Sequence, residues 1–352
     1  MKDISRDDIL KLHGMISRAE RIVVTAHMRP DGDAAGSCTA LLRYLLGTGK
    51  NVRVVLPDDC PDSLAFLTGE DYGRHFLSAE KAPGPAKEAI KDGDLIFCLD
   101  FNSFSGARCG DLADALALSS AEKVLIDHHL YPQREAFSLL FSETEISSTC
   151  ELLFWVLTAL ASAEDRKPGL GTDILTPLLA GMTTDTNNFG NSVFPSTLRM
   201  ASMALEAGVD RESILQHLYN EYGENRLRLL GKLLYSDMDI SPDGVACMMI
   251  DKEMLRKFNI KEGDTEGFVN KPLEIGKVKM SCLLKEDDGY MRVSLRSKKG
   301  VSANRCAAEF FHGGGHELAA GGRIYIPDDA GSPAEAREYA VKCTQMFMTR
   351  EK

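Results

Sequence analysis

The chain lacks paired cysteines, long apolar runs and an excess of positive charge. Its nine cysteines are scattered singly and form no C-x-x-C pair, which argues against a zinc ribbon or a disulfide framework and suits a reducing compartment. No apolar run approaches the ~20 residues that a membrane span needs, and the first residues do not resemble a signal peptide. We therefore expect a cytoplasmic protein without a membrane partner.

The formal net charge of −11 limits the class of partner. A protein that grips long nucleic acid normally carries a basic face, because its affinity comes largely from neutralising phosphates. The acidic balance therefore disfavours long duplex nucleic acid. A small phosphorylated molecule, held by bound cations and a few basic side chains, remains compatible with it.

The first half of the sequence alternates short apolar runs with helix-like stretches. Continuous apolar strands spaced by helices indicate a parallel sheet that is covered on both faces. Strands are predicted at residues 22–26, 52–56, 94–99 and 123–126. Helices are predicted at residues 34–46, 149–163 and 174–181, and a helical pattern runs from 196 to 234.

The pattern changes near residue 236. Strands are predicted at 245–250, 279–284 and 290–295, with a hairpin turn at Asp287-Asp288-Gly289, and helices at 302–311 and 333–348. A chain of 352 residues normally forms more than one domain. We predict an α/β protein with a doubly wound, mostly parallel sheet at 1–205, a helical connector at 206–235 and a smaller α/β domain at 236–352. The active site would lie in the cleft between the domains.

Acidic and histidine residues follow the predicted strands of the first half. They are His27, Asp31 and Asp33 after the first strand, Asp100 after the third, Asp127, His128 and His129 after the fourth, and Asp185 after the helix that begins near Ile174. Ligands of doubly wound sheets bind beyond the carboxyl ends of the strands. Each group alone is typical of a turn or a helix cap. Together they would crowd carboxylates into one cleft, which requires bound cations or protonation.

The chemistry of these side chains narrows the choice of metal. Several carboxylates with two or three imidazoles and no thiolate favour Mn²⁺ or Mg²⁺ over Zn²⁺. The ligands suffice for two divalent cations that share a carboxylate. Two-metal hydrolases activate a water and stabilise both the entering and the leaving oxygen of phosphoryl transfer. The constellation therefore predicts hydrolysis of a phosphoester with two divalent cations, Mn²⁺ first and Mg²⁺ second.

The motifs resemble those of the DHH phosphoesterase family. The similarity rests on His27-x-x-Pro30-Asp31-Gly32-Asp33-Ala34, Asp100, Asp127-His128-His129 and Gly181-Met182-Thr183-Thr184-Asp185-Thr186. Gly313-Gly314-Gly315-His316, followed by Ala319-Ala320-Gly321-Gly322, resembles the signature of the DHHA1 domain. The motifs occur in the family's order, and the resemblance spans about residues 15 to 325.

The resemblance implies roles for the motif residues. One ion would be held by His27, Asp31 and Asp100, and the other by Asp33, Asp100, His128 and Asp185. Asp127 would orient an imidazole and His129 would face the scissile phosphate. We hypothesise that a metal-activated hydroxide attacks phosphorus in line.

The second domain would bind the substrate. The glycines Gly313, Gly314 and Gly315 would allow close approach of the backbone to an anion, and His316 would touch a substrate phosphate. Arg296, at the end of a predicted strand, would clamp a terminal phosphate through two hydrogen bonds.

The resemblance is strongest to compact members that degrade very short RNA, pApA-like dinucleotides or the 3′-phosphate of pAp. One departure from the family pattern concerns Gly190, which stands where related proteins often carry an arginine. The choice among these substrates therefore stays open, as do cleavage direction, preference for RNA or DNA, and dimerisation. Two alternatives are a polyphosphate or pyrophosphate hydrolase and a nucleotide sensor without turnover, whose mark would be a missing metal ligand.

Overall fold

The structure is a computed structural model that describes residues 4–163, 170–261 and 263–350. The chain divides into two compact units, Met1–Glu221 and Tyr222–Lys352. The boundary between the units falls inside the predicted connector at 206–235, and the predicted domain limits stay a prediction. Among the described residues, no helix combines the length and the apolar character that crossing a membrane requires.

The first unit is built around a sheet in which every neighbouring pair of strands is parallel. Its strands are β1 (Arg21–Thr25), β2 (Asn51–Leu56), β3 (Phe76–Ser78), β4 (Leu95–Leu99), β5 (Glu122–Asp127) and β6 (Leu139–Ser142). They lie in the order β3-β2-β1-β4-β5-β6. The chain thus extends the sheet in one direction as far as β3 and returns to the other side of β1 with β4. The predicted doubly wound parallel sheet is confirmed.

The four strands predicted in this unit are present, each end within one residue of the prediction. Strand β4 is buried at every position, as its continuous apolar run indicated. The edge strands β3 and β6 were not predicted. They are only three and four residues long and partly exposed, so their apolar stretches are shorter than the runs that marked the central strands.

Helices cover both faces of this sheet. They are α1 (Arg6–Arg18), α2 (Gly32–Gly47), α3 (Ala65–Thr68), α4 (Asp71–His75), α5 (Pro83–Asp92), α6 (Gly106–Cys109), α7 (Ala113–Leu118), α8 (Thr149–Ala163), α9 (Thr172–Asp185), α10 (Pro195–Glu206) and α11 (Arg211–Leu215). Short 3₁₀ turns lie at Asp62–Leu64, Gly110–Leu112 and Arg134–Ala136. The larger core joins one face of the sheet to α1, α2, α8 and α9, and a smaller core joins the other face to α5 and α7.

Helix α9 is longer than predicted. The polar cluster around Thr183 and Asp185 was expected after the helix, but it lies within its last turn. The prediction was wrong because the threonine hydroxyls find hydrogen-bond acceptors within the helix. Thr183 donates to the carbonyl of Leu179 at 2.7 Å, and Thr186 donates to the carbonyl of Met182 at 2.8 Å.

Helices α2 and α9 pack closely because glycines line their contact. A Cβ atom on Gly32 would approach Thr184 Oγ1 to 2.4 Å, and one on Gly36 would approach the carbonyl oxygen of Pro177 to 2.4 Å. A Cβ atom on Gly181 would lie 2.8 Å from the carbonyl oxygen of Gly32. The absent side chains let the N-terminus of α2 meet the C-terminal half of α9.

The second unit contains a mixed sheet. Its strands are β7 (Asp239–Ile240), β8 (Val245–Ile250), β9 (Met280–Glu286), β10 (Tyr290–Ser297), β11 (Gly314–Gly315) and β12 (Ala319–Tyr325), in the order β11-β12-β10-β9-β8-β7. Strands β8 and β9 are parallel and the other pairs are antiparallel. The hairpin predicted at residues 287–289 is confirmed as the β9–β10 connection. Strand β12 was missed because its Ala-Ala-Gly-Gly start lacks strand-forming residues.

Helices and one 3₁₀ segment complete the second unit. They are α12 (Glu224–Lys232), α13 (Lys252–Lys257), α14 (Ala303–Phe310), α15 (Pro333–Arg350) and the 3₁₀ segment Phe268–Glu274. One face of the sheet packs on α14 and α15, and the other packs on α12 and the 3₁₀ segment.

The helical pattern predicted from 196 to 234 is present but interrupted. Helix α10 ends before Gly208, whose φ of +96° breaks the helical geometry. Helices α11 and α12 each run into a π-helical turn, at Gln216–Asn220 and Leu233–Asp237.

Candidate active site

The predicted site residues of the first unit follow the carboxyl ends of three central strands. His27 follows β1, Asp100 follows β4 directly, and Asp127 ends β5. Strand β1 lies between β2 and β4, where the connections change direction. Doubly wound sheets open a crevice for ligands at this switch point. The topology thus brings residues that are about a hundred positions apart in sequence to one edge of the sheet.

One group of potential ligands consists of His27, Asp31 and Asp100. The imidazole Nδ1 of His27 contacts the carbonyl oxygen of Met28 at 2.8 Å, which leaves Nε2 to face the carboxylates. His27 Nε2 lies 3.3 Å from Asp100 Oδ2 and 3.8 Å from Asp31 Oδ1. Asp31 also caps α2 and accepts the amide hydrogens of Asp33 and Ala34 at 3.0 Å each.

A second group consists of Asp33, Asp100, His128 and Asp185. His128 Nε2 lies 3.4 Å from Asp100 Oδ1 and 3.8 Å from Asp33 Oδ2. Its distance to Asp185 Oδ2, at the end of α9, is 3.7 Å. The close packing of α9 on α2 therefore supplies the carboxylate that completes this group.

The geometry of both groups fits bound divalent cations. Atoms that coordinate one ion at ~2.1 Å lie roughly 3–4 Å from each other, and the distances above fall in this range. Asp100 directs Oδ2 to the first group and Oδ1 to the second, as a shared carboxylate would. The structure brings all six predicted ligands together, and their binding of metal stays a prediction.

The pKa values show how strongly the groups interact. Burial lowers the pKa of His128, but Asp185 and Asp100 outweigh this effect and raise it to about 10. Burial and the negative charge of Asp100 raise the pKa of Asp33 well above its usual range. Burial opposes ionisation of Asp100 too, yet hydrogen bonds from His128 and His27 hold its pKa well below the usual range. These opposed shifts show that the carboxylates and imidazoles of the site interact strongly with one another, as expected where several carboxylates converge.

The N-terminus of α8 fixes two of the carboxylates. The amide of Thr149 donates to Asp33 Oδ2 at 2.7 Å, and the amide of Cys150 donates to Asp33 Oδ1 at 2.8 Å. The Thr149 hydroxyl donates to Asp100 Oδ1 at 2.9 Å. Asp100 itself has a φ of +63°, a backbone conformation that non-glycine residues seldom adopt. Thr149 was not predicted, although its place at the start of an apolar helix after Ser147-Ser148 is a typical capping signal.

The buried Asp127 contacts His129. Its Oδ1 lies 2.7 Å from His129 Nδ1, while Oδ2 is buried without a hydrogen-bond partner among the described residues. A carboxylate that accepts the Nδ1 hydrogen fixes both the ring orientation and the tautomer of an imidazole. That Asp127 orients an imidazole stays a prediction, and its contact with His129 is the geometry that this role requires.

The loop after α9 contains Gly190, at the position of the departure from the family pattern. Asn187, Asn188 and Phe189 all have positive φ, between 48° and 64°. An arginine from the start of α11 contacts this loop: Arg211 Nη2 donates to Asn188 Oδ1 at 2.5 Å and lies over the Phe189 ring. The sequence did not indicate this contact.

The predicted substrate residues of the second unit lie around β10, β11 and β12. Arg296 is half-buried in β10, opposite Ser281 of β9 and Ala319 of β12. The amide of His316 donates to the carbonyl of Ala319 at 2.7 Å, and this contact closes the turn between β11 and β12.

Gly313, just before β11, and Gly315 within it are required by packing. A Cβ atom on Gly313 would approach the carbonyl oxygen of Gly321 to 1.9 Å, and one on Gly315, with φ +151°, would approach the carbonyl oxygen of Ala319 to 2.6 Å. The Gly315 amide donates to Asn304 Oδ1 at 3.0 Å. Substrate binding by Gly313, Gly314, Gly315, His316 and Arg296 stays a prediction.

Comparison with known proteins agrees with this architecture. Residues 21–182 match the N-terminal domain of the DHH family, and residues 243–341 match the DHHA1 domain. The chain therefore belongs to the DHH family and carries a DHH domain followed by a DHHA1 domain. The predicted family resemblance and the two-domain α/β fold are confirmed.

Individual relatives are similar over nearly their full length. The bifunctional oligoribonuclease and PAP phosphatase NrnA of Bacillus subtilis is 27% identical over 320 residues, which cover 90% of this chain and 93% of NrnA. The probable NrnA of Streptococcus mutans is 26% identical over 316 residues, 88% of this chain and 91% of its own. The crystal structure of an exopolyphosphatase-related protein from Bacteroides fragilis is 36% identical, with a TM-score of 0.87 over 99% of this chain and 98% of its own.

Proposed function

We propose that the chain hydrolyses phosphate esters in short nucleotides: very short RNA, pApA-like dinucleotides and the 3′-phosphate of pAp. The observation that carries this proposal is the pair of ligand groups that share Asp100 at the switch point of the sheet. Relatives similar over about 90% of this chain are named for oligoribonuclease and PAP phosphatase activity, which supports the substrate class.

The ligand set supports two divalent cations for each chain. His27, Asp31 and Asp100 would hold one ion, and Asp33, Asp100, His128 and Asp185 would hold the other. Oxygen and imidazole donors without thiolates favour Mn²⁺, with Mg²⁺ as the second choice. Two such ions, when bound, supply an activated water and stabilise negative charge on the reacting phosphate.

The side chains around this centre have their own tasks. Asp127 fixes the Nδ1 hydrogen of His129, so that the ring presents Nε2 to a substrate oxygen, where it holds or donates a proton. Arg296 and His316, with the turn of Gly313, Gly314 and Gly315, would hold a substrate phosphate. A planar guanidinium suits this task because it can form two parallel hydrogen bonds to phosphate oxygens.

One observation favours a second candidate, a polyphosphate hydrolase. The 36%-identical protein from Bacteroides fragilis is described as exopolyphosphatase-related. The two candidates differ in whether a base contributes to binding. A nucleotide should outcompete inorganic polyphosphate if the chain recognises bases. A sensor without turnover is disfavoured, because every predicted metal ligand is present in the described site.

The direct test is release of mononucleotide from pApA and of phosphate from pAp by the purified full chain with Mn²⁺. Asp100→Ala should abolish turnover and greatly weaken Mn²⁺ binding, because it removes the carboxylate that both groups share. The matched control is Asp92→Ala at the exposed end of α5, which should leave both unchanged. Full activity of Asp100→Ala would refute the metal assignment. Wild-type turnover of polyphosphate alone would shift the proposal to the second candidate.

A further inference from the structure

A cavity of about 370 Å³ opens beside His129 in the first unit. One wall is the segment that follows this histidine, with Tyr131 and Arg134, and the opposite wall is the end of β6 with Ser142 and Glu143. Sites for small molecules have volumes of roughly 300–1,000 Å³, so the cavity is large enough for part of a nucleotide. None of the metal ligands lines it.

Hydrogen bonds fix the walls of the cavity to the strand ends that carry the active site. Asn102, two positions after the shared Asp100, donates from Nδ2 to the carbonyl of Leu130 at 2.7 Å. The backbone of Asn102 accepts the amide hydrogen of Gln133 at 2.8 Å. On the opposite wall, the amide of Glu143 donates to the carbonyl of Asp127 at 3.2 Å. A group bound in the cavity would therefore keep a fixed position relative to a phosphate bound at the candidate metal ligands.

Tyr131 is the aromatic residue that lines this cavity. The side chain is 85% exposed, and the residue has a φ of +59°. A single exposed tyrosine is ordinary on a protein surface, but this one lines a cavity two positions after His129. Aromatic side chains beside a phosphate site commonly stack on bases, because every base offers a π-face.

The charged groups of the cavity are of both signs, with Arg134 on one wall and Glu143 on the other. Glu143 Oε1 accepts the amide hydrogens of Thr144 and Glu145 at 2.9 and 3.0 Å, so the carboxylate is fixed at the wall. A fixed carboxylate repels phosphate and accepts hydrogen bonds from amino and hydroxyl groups. An aromatic side chain with such an acceptor suits a base and its ribose, and the guanidinium of Arg134 suits the phosphate attached to them.

We propose that this cavity binds the nucleoside that adjoins the scissile phosphate, with its base stacked on Tyr131. The inference rests on the proposed function and adds the recognition element that selects nucleotides over polyphosphate. It makes Tyr131 a specificity-determining residue outside the metal centre.

The test compares Tyr131→Ala with the wild-type chain on pApA and on two dinucleotides that carry an abasic sugar at either position. Loss of a base stack should raise KM for pApA about fivefold or more at similar kcat. This penalty should vanish on one of the two abasic substrates, because that substrate has no base to stack. Tyr131→Phe keeps the ring and should behave as the wild type. Tyr235→Ala is the matched control, since Tyr235 is 94% exposed in the second unit.

The outcomes separate this inference from the proposed function. Unchanged kinetics of Tyr131→Ala on pApA, or an equal penalty on all three substrates, would overturn the nucleoside site while leaving the phosphoesterase in place. Failure of the wild-type chain to cleave any dinucleotide would instead count against the proposed function. Fluorescence quenching of 2-aminopurine nucleotide would then test whether the cavity binds a base. Quenching that Tyr131→Ala abolishes would support the nucleoside site. Quenching that is absent, or unchanged in Tyr131→Ala, would refute the nucleoside site.

Discussion

Replacing Thr149 by valine removes one hydrogen bond from the candidate metal centre and nearly preserves the shape of the side chain. The hydroxyl that is lost donates to Asp100 Oδ1, the oxygen that faces the second ligand group. The backbone amides of Thr149 and Cys150 still hold Asp33. The substitution therefore probes the orientation of the shared carboxylate and leaves the rest of the site intact.

The expected effect is large because water has little access to the lost bond. Thr149 is 0% exposed and Asp100 is 2% exposed, so solvent does not readily replace the hydroxyl. Hydrogen bonds to charged groups contribute about 1.5–3 kcal/mol. Loss of a residue that orients a metal ligand typically weakens metal binding about 10–100-fold. We expect Thr149→Val to raise the dissociation constant for Mn²⁺ by about tenfold or more.

The assay is calorimetric titration of the full chain with Mn²⁺, which reports binding without reference to turnover. Thr149→Ser retains the hydroxyl and should restore most of the affinity. Thr158→Val is the matched control on the same helix, because the Thr158 hydroxyl bonds only to the carbonyl of Phe154 among the contacts described, at 2.8 Å. A wild-type dissociation constant for Thr149→Val, or an equal loss in Thr149→Ser, would refute the argument that this hydroxyl orients Asp100.

Two further predictions concern the orientation of His129 and the packing under the site. Asp127→Asn should lower kcat for pApA by roughly 10²-fold or more with Mn²⁺ affinity unchanged, because the amide no longer fixes the tautomer of His129. Steady-state kinetics measure kcat, and calorimetry measures the Mn²⁺ affinity. A parallel loss of Mn²⁺ binding would contradict this prediction. Gly181→Ala should destabilise the first unit by ~1–3 kcal/mol, because its Cβ atom would lie 2.4 Å from Cys150 Sγ. Denaturant unfolding measures the change, with Gly231→Ala, which has open space around it, as the control that should not destabilise.

The sequence was sufficient to predict the central strands and the edge of the sheet at which the candidate ligands meet; that these residues bind metal stays a prediction. The continuous apolar runs of β1, β4 and β5 marked buried parallel strands, and the polar residues after them could only meet at one edge of the sheet. The prediction needed no knowledge of side-chain geometry, because the carboxyl ends of neighbouring parallel strands always lie together.

The hydrogen bonds and helix contacts that position these candidate ligands could not be predicted in the same way. The amide of Thr149 reaches a carboxylate 116 positions earlier in the chain, and every residue type except proline carries such an amide. Asp185 lies on a helix and not after a strand, so its approach to His128 does not follow from the sheet; it depends on the close contact of two helices at Gly32 and Gly181. The cavity beside Tyr131 was not predicted for a similar reason: its second wall is the edge strand β6, whose apolar stretch Leu139-Leu140-Phe141 is only three residues long.

The N-termini of two helices, as well as imidazoles, contact the carboxylates of the site. Asp31 accepts two amides at the start of α2, and Asp33 accepts two amides at the start of α8. The first amides of a helix have no partner within the helix and carry a partial positive charge, so they offset the negative charge that converges here. Both helices are anchored in the large core of the first unit. The packed core therefore sets where these oxygens lie, so that cations would meet ligands that the fold already holds in place.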